Sequence, residues 1–139
     1  MRTIRFFQGV SFILGTLFGA LAQAQTAADF LKQFEVEVRQ ETAGFQGFSP
    51  PRGEAFFRAT HGREWSCASC HTQNPTAAGK HAKTDKQIAA LAPAANAERF
   101  TRTDKVQKWF KRNCNDVLGR ACTPQEKGDV LTYLMSLKK

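Results

Sequence analysis

The sequence predicts a small, all-α domain. Apolar residues recur at helical spacing in several segments, and no segment shows the strong alternation of apolar and polar residues that marks a strand. The chain has 139 residues, which is enough for one small domain after its first 24 residues are set aside as a leader. We therefore expect a single helical domain over residues 25–139.

The first 24 residues have the form of a cleaved secretory signal peptide. Met1 to Arg5 is short and basic, Phe6 to Leu21 is mainly apolar, and Ala22-Gln23-Ala24 is a typical cleavage site. An uncleaved membrane anchor is the alternative, but the apolar run is short for a bilayer and lacks a stop-transfer flank. We expect export to the periplasm and no stable membrane insertion after cleavage.

The N-terminal part of the domain contains two predicted helices. The first runs from Thr26, a suitable N-cap, to about Glu41. Its apolar stripe at i, i+4 and i+8 consists of Phe30, Phe34 and Val38. A second, shorter helix begins with Ser49 as its cap and Pro50 at its first position.

Two further helices are predicted near the C-terminus. One is capped by Thr103 or Asp104 and ends between Asn115 and Gly119. The last begins with the capping box Thr123 to Glu126, which has proline at its first helical position. Its buried stripe consists of Val130, Leu131, Leu134 and Leu137. We expect the two terminal helices of the domain to pack on each other.

The most specific functional motif in the sequence is Cys67-Ala68-Ser69-Cys70-His71. C-x-x-C-H in an exported chain is the attachment signature of a c-type haem. Cys67 and Cys70 would form thioethers with the two porphyrin vinyl groups, and His71 would be the proximal iron ligand. We therefore expect one covalently bound haem c.

Zinc binding, a redox dithiol and a haem-free disulfide domain are the alternatives for these cysteines. Seven residues separate the other two cysteines, Cys114 and Cys122, whereas zinc ribbons use two short pairs. A redox C-x-x-C belongs near a β-α-β pattern, which this sequence lacks. Neither a zinc site nor a redox dithiol explains the histidine that directly follows Cys70.

The segment between the haem motif and the next helix has no long periodic pattern. Asn74-Pro75, Gly79 and Pro93 mark turns, while Gln87 to Leu91 is consistent with one or two helical turns. A structureless connection of this length is unusual in a small domain unless it packs on a cofactor. The predicted fold is therefore a monohaem cytochrome c-type helical domain with a long haem-wrapping loop.

The chain is basic, with 20 Lys and Arg against 12 Asp and Glu and a formal net charge of +8. Two of these cations, Arg2 and Arg5, belong to the leader. The sequence lacks the interleaving of aromatic and basic residues that is typical of nucleic-acid binders, so we expect no nucleic-acid partner. A basic rim that attracts an acidic redox partner is one interpretation of the surplus, and an ordinary solvated surface is the other.

The sixth iron ligand decides between an electron carrier and a gas-binding protein. Met135 lies among core-type leucines of the last helix and is interpreted as packing. His61 is close before Cys67 and would have to reach around the haem edge. His81 lies in a Lys-rich stretch where an exposed histidine is usual, and it remains the main alternative ligand.

Several segments together resemble the sphaeroides haem protein family, which contains oxygen-binding monohaem cytochromes c and is related to cytochrome c″. They are the haem motif, the stretch from Leu91-Ala92-Pro93 to Phe100-Thr101, Arg112 to Asn115 and Cys122 to Lys127. The resemblance covers most of the domain and is weak before Gly53.

The resemblance implies that Asn113 is the distal ligand in the ferric state and that Cys114 and Cys122 form a disulfide. It also implies O₂, NO or CO as small ligands, and a dihaem cytochrome c or a b-type membrane cytochrome as electron-donating partner. We therefore expect a periplasmic haem protein that becomes high-spin on reduction and binds, or reduces, a small diatomic molecule. The alternative is a plain electron-transfer cytochrome with permanent six-coordination, for example through His81.

Overall fold

The computed structural model describes residues 25–139, so the signal-peptide interpretation of residues 1–24 lies outside the described part of the chain. The regular elements are α1 (Ala27–Glu41), α2 (Pro50–Arg58), α3 (Cys67–His71), β1 (Gly79–Lys80), β2 (Gln87–Ile88), α4 (Thr103–Leu118) and α5 (Pro124–Ser136). The all-α prediction is confirmed, because the two strands form only a small antiparallel hairpin. No helix within this range is long and apolar enough to cross a membrane.

Three of the predicted helix starts are found as expected. Thr26 forms a capping box with Asp29 at the start of α1, and Thr123 forms one with Glu126 at the start of α5. Ser49 caps α2 by accepting a hydrogen bond from the backbone nitrogen of Arg52. Each cap satisfies amides that the first helical turn leaves without a partner.

Two local predictions are wrong. The N-cap of α4 is Arg102, whose side chain pairs with Asp104 at 2.9 Å and makes no cap hydrogen bond. The segment from Gln87 to Leu91 contains strand β2 instead of a helical turn, with Gly79 opposite Ile88. Backbone pairing with β1 outweighs the weak helical preference of residues 87–91.

The centre of the fold is α5, which packs against α2 on one side and α1 on the other. The prediction that the terminal helices pack together is therefore confirmed. Contact with α2 is close at Gly53, where a Cβ atom would overlap the backbone carbonyl of Asp129. The buried Asp129 carboxylate accepts from the backbone nitrogen of Ser49 at 2.7 Å and from Arg52 Nε at 2.9 Å. This network ties α5 to the start of α2.

Two apolar clusters form the core. The first contains Phe57, Ala68, Val130, Tyr133 and Leu134. The second contains Phe30, Phe34, Val106 and Leu131. Phe100, in the loop before α4, packs against both. Because Ala68 is part of α3, the haem motif is anchored directly in the first cluster.

Two apolar side chains of α4, Val106 and Phe110, connect this helix to the rest of the domain. Val106 belongs to the second cluster, and the ring of Phe110 makes an edge contact with Phe34 at a centroid distance of 5.6 Å. The helix ends at Gly119, which adopts the left-handed conformation with φ 72°. One side of α4 is thereby fixed against α1 while the opposite side, which carries exposed charged residues, faces solvent.

Candidate haem-binding site

The cysteine and histidine side chains of the motif lie on one short helix. Cys70 and His71 follow Cys67 by three and four residues in α3, so the three side chains share a side of the helix. Ser66 caps it: its hydroxyl accepts from Ser69 N at 3.2 Å, and its own backbone nitrogen donates to Ser69 Oγ at 3.0 Å. Both cysteines are free thiols, as thioether formation requires.

Apolar side chains surround this helix. Cys67 packs against the first cluster, and so do the half-buried residues Phe56, Leu91, Phe100 and Leu137. Partly exposed aromatic and aliphatic groups next to two thiols and an imidazole provide the lining that the faces of a porphyrin need. The residues of the site therefore fit a covalently attached haem.

Burial shifts the pKa values of two motif residues, Cys67 and His71. Burial raises the pKa of Cys67 to about 11, with a smaller contribution from Cys70. Burial, followed by the positive charge of Arg99, lowers the pKa of His71 to about 4. The His71 imidazole is therefore neutral at pH 7, and only the neutral ring has a nitrogen lone pair free for iron.

Strand β1 lies directly against α3. A Cβ atom on Gly79 would overlap the carbonyl oxygen of Cys70 and would lie 3.1 Å from the Cα atom of His71. On the same hairpin, the backbone nitrogen of Ala82 donates to Cys70 Sγ at 3.3 Å. The hairpin thus supports both the backbone next to the proximal histidine and one of the two sulfur atoms.

The predicted wrapping loop is held by hydrogen bonds to its own backbone. Pro75, four residues after His71, is fully buried, and its carbonyl accepts from the amides of residues 91 and 92 at 3.0 Å. Arg99 donates to the carbonyls of residues 89 and 90 at 2.6 and 2.9 Å. These bonds bring the late part of the loop back to the segment that follows the motif.

The other candidate residues lie at the end of α4. Asn113 is half-buried, and the next residue, Cys114, is bonded to Cys122 with a Cα–Cα distance of 5.5 Å. The structure therefore contains the disulfide that the resemblance implies. Arg120, inside the disulfide loop, forms an ion pair with Glu126 at 2.7 Å. The residues around Asn113 are thus tied to the first turn of α5.

A cavity of about 390 Å³ lies between the segment that precedes the haem motif and the end of α4. It is lined by Gly62, Arg63, Glu64, Trp65, Lys83 and Asp116. Trp65 is two residues before Cys67, and Asp116 is three residues after Asn113 on α4. Because helix residues i and i+3 share a face, the cavity borders the side of α4 that carries Asn113.

The alternative candidates for the sixth iron ligand, His61, His81 and Met135, have different environments. His61 Nε2 lies 2.9 Å from the carbonyl oxygen of Phe56, and its ring contacts the Phe56 ring in a tilted arrangement with a centroid distance of 4.4 Å. His81 Nδ1 accepts from the backbone nitrogen of Lys83 at 3.2 Å in the hairpin that packs beside α3. Met135 is 40% exposed. The interpretation of Met135 as a core residue is wrong, because the last turns of α5 direct it away from the apolar clusters.

Sequence reasoning missed three residues that support the site. Gly79 was interpreted only as a turn marker, and neither Arg99 nor Trp65 was singled out. No local sequence pattern shows that Gly79 lies close to another backbone segment. Nor does one show that Arg99 donates to carbonyls nine and ten residues earlier. One usable signal was Ser66, since serine directly before a short helical segment is a favoured N-cap.

Comparison with known proteins agrees with the site. A family model described as a domain of unknown function, DUF1924, matches residues 43–134. Cytochrome c″ of Methylophilus methylotrophus is 37% identical over 133 residues, which cover 91% of this chain and 92% of that protein. The cytochrome c-type protein SHP of Cereibacter sphaeroides is 48% identical over 87 residues, covering 60% and 67% of the two chains.

The chain belongs to the family of cytochrome c″ and SHP. The solved structure of oxidised SHP, described as an oxygen binding cytochrome c, superimposes with a TM-score of 0.72 at 36% identity and covers 83% of this chain and all of that one. A solution structure of cytochrome c″, presented for the structural basis of haem-ligand detachment, gives 0.70 at 37% identity, covering 81% and 94%. The predicted resemblance is confirmed. As a member of this family of c-type cytochromes, the chain carries one covalently bound haem c.

Proposed function

We propose that this protein is a periplasmic haem protein that binds O₂ or another small diatomic molecule after reduction has released Asn113. When bound, the haem would supply a redox-active iron that changes its oxidation state by one electron. Cys67 and Cys70 would hold the porphyrin through thioether bonds, and His71 would bind the iron. Asn113 would be a second iron ligand in the ferric state.

The position of Asn113 carries this proposal. The side chain is half-buried, directly precedes the disulfide, and lies three residues before Asp116, which lines the cavity together with Trp65. Within α4 the buried residues Val106 and Val117 face the core, and Asn113 is the polar residue next to that buried side. An iron held by His71 would give the Asn113 amide oxygen a partner.

The chemistry of an amide oxygen explains why the ligand would be released. It is a hard, neutral and weak donor, so it suits ferric iron better than the softer ferrous iron. Reduction would therefore free the Asn113 side chain and leave the coordination position opposite His71 accessible. The description of SHP as an oxygen binding cytochrome c supports this function, and the haem-ligand detachment described for cytochrome c″ supports the release.

The proposal also includes the location of the protein in the periplasm and the reduction of its haem by another protein. The basic, apolar and A-x-A segments of residues 1–24 support secretion to the periplasm. There the electrons would come from another cytochrome, either a dihaem cytochrome c or a membrane b-type cytochrome. The surplus of basic side chains is consistent with an acidic surface on that donor.

Optical spectra of the ferric, dithionite-reduced and CO-treated holoprotein test the function. We expect a five-coordinate, high-spin ferrous spectrum that shifts on addition of CO. A low-spin ferrous spectrum that ignores CO would overturn gas binding in favour of a plain electron carrier. In that case His81→Ala identifies the permanent ligand, whereas our proposal expects the His81→Ala spectra to match those of the wild type.

A pair of variants tests the ligand. Asn113→Ala should change the ferric spectrum and leave the ferrous and ferrous-CO spectra unchanged, because the amide is bound only in the ferric state. Asn115→Ala removes an exposed amide from the same helix end and serves as the control. If Asn113→Ala has the same ferric spectrum as the wild type, Asn113 is not the ligand, and gas binding is then judged by the CO spectrum alone.

A further inference from the structure

The solvent-facing side of α4 carries a basic and aromatic surface. Lys105, Lys108, Trp109 and Arg112 are all exposed, and the pairs Lys105–Lys108, Lys105–Trp109, Lys108–Arg112 and Trp109–Arg112 are each three or four residues apart. Residues so spaced are neighbours on a helix surface. We call these four residues the α4 outer face.

Trp109 is 45% exposed and lies between two cations of this face. Lys108 Nζ is 5.6 Å from the centre of its ring, and the guanidinium carbon of Arg112 is 5.3 Å away. The other tryptophan of the chain, Trp65, has Lys83 Nζ at 4.4 Å from its ring centre. Both tryptophans thus combine an aromatic surface with a positive charge, and tryptophan and arginine are enriched at the centres of protein interfaces.

The α4 outer face continues to the haem motif. Asp116 lies four residues beyond Arg112 on α4 and lines the cavity together with Trp65 and Lys83. Trp65 is two residues before Cys67, while the residue before Lys83 donates its amide to Cys70 Sγ. The surface therefore reaches the edge of the site where the thioether sulfurs lie.

Positive side chains outnumber carboxylates on and beside this face: Lys105, Lys108 and Arg112 stand against Asp104 and Asp116, which lie near its two ends. In the described range 25–139, Lys105, Lys108 and Arg112 form no ion pair with a carboxylate, in contrast to Arg102, which pairs with Asp104. Lys108 and Arg112 are like charges four residues apart, a spacing that is unfavourable on a helix. An arrangement that costs stability and leaves a tryptophan in water is suited to a partner that supplies the missing negative charges.

We propose that the α4 outer face, extended by Trp65 and Lys83, is the docking surface for an electron-donor protein with an acidic surface. This inference rests on the proposed function, in which another protein reduces the haem. Acidic side chains of the donor would attract Lys105, Lys108 and Arg112, and an apolar patch of the donor would cover Trp109. Each encounter moves one electron: the donor is oxidised, the ferric iron is reduced, and no atom is transferred.

Stopped-flow reduction of the ferric holoprotein by a flavodoxin hydroquinone, an acidic one-electron donor, tests the surface. We expect the second-order rate constant to fall as ionic strength rises, because salt screens the attraction. At low ionic strength Lys108→Glu should lower it by about 5- to 10-fold. Lys32→Glu changes the charge equally on α1, where that side chain is 79% exposed, and should lower the rate constant by less than about 2-fold.

Other measurements separate docking from its alternatives. The reduction potential of each variant shows whether a rate change reflects driving force, and Lys108→Glu should leave it unchanged. A rate constant independent of salt, or equal losses in Lys108→Glu and Lys32→Glu, would overturn the proposal. Retention of the holoprotein by duplex DNA at physiological salt, abolished by Lys108→Glu, would overturn it in favour of a nucleic acid. Lys108→Glu should still bind CO when reduced, so loss of docking and loss of gas binding are distinguishable.

Discussion

Gly79 and Cys70 are in backbone contact, which leaves no room for a side chain between the β1 strand and the haem-motif helix. A Cβ atom at position 79 would overlap the Cys70 carbonyl oxygen, and the Cα atom of His71 is only 3.1 Å from that point. Both neighbours are backbone atoms, so neither can move aside by a change of rotamer. The separation of the hairpin from the proximal histidine is therefore set by a glycine.

Gly79→Ala should destabilise the holoprotein by about 2 kcal/mol or more, because the hairpin or α3 must shift. We also expect a changed Soret band, since the displaced backbone carries His71. Gly47→Ala is the control: Gly47 has φ 104° and open space around its Cβ position, so it tests backbone strain without overlap. If both variants lose the same stability and keep the wild-type spectrum, the contact at Gly79 does not position the haem ligand.

The sequence predicted those features of the fold that local chemistry determines. Thr26, Ser49 and Thr123 each stand where an N-cap is needed, and each caps a helix in the structure. The haem motif was recognisable because attachment requires its residue order. Membership of the family was recognisable from segments near the two other cysteines.

Features that depend on distant contacts could not be predicted. Strand β2 exists because residues 87–88 meet β1, and a two-residue strand leaves no periodicity to detect. The contact at Gly79 and the bonds of Arg99 to carbonyls ten residues away depend on how the loop closes. Met135 was misjudged because it follows Leu134 in an apolar run, while the helix turns it outward.

Haem attachment through two thiols gives a second prediction. Cys70→Ala should keep a covalent haem through Cys67 but leave one vinyl group unreacted and conjugated with the ring. The pyridine haemochrome band should therefore move to longer wavelength, and haem staining after denaturing electrophoresis should persist. The double variant Cys67→Ala/Cys70→Ala should lose the stain, while Ser69→Ala, between the two cysteines, should keep the wild-type band. A stained double variant would contradict attachment at this motif.

The disulfide between Cys114 and Cys122 gives a third prediction. It closes a short loop with a sequence separation of eight, so Cys114→Ala/Cys122→Ala should lose roughly 2–3 kcal/mol of unfolding free energy in the chain-entropy model. Because Asn113 directly precedes the bond, we also expect selective reduction of the wild-type disulfide to change the ferric spectrum. A lower stability with an unchanged ferric spectrum would mean that the bond stabilises the domain without positioning Asn113.

Glu126 links the disulfide loop to α5 and gives a prediction about pH. Its hydrogen bond from Arg120, together with the Thr123 backbone amide, lowers the pKa of Glu126 below its ordinary value of 4.5. A lowered carboxyl pKa in the folded state stabilises the protein above the ordinary value, and this stabilisation disappears as pH falls through the lowered pKa. Acid should therefore loosen the connection between the disulfide loop and the start of α5.

Glu126→Gln isolates this charge, since glutamine can still complete the capping box with Thr123. We expect a loss of about 0.5–1 kcal/mol at pH 7, kept small by solvent screening of the Arg120 pair, and convergence with the wild type at an acid pH below the lowered pKa of Glu126. Urea unfolding at the two pH values measures this difference. Glu54→Gln, which removes an exposed partner of Arg58 on α2, should have a smaller effect at pH 7. A Glu126→Gln loss that is the same at both pH values would show that the side chain acts through packing, because only a contribution from its charge can vanish on protonation.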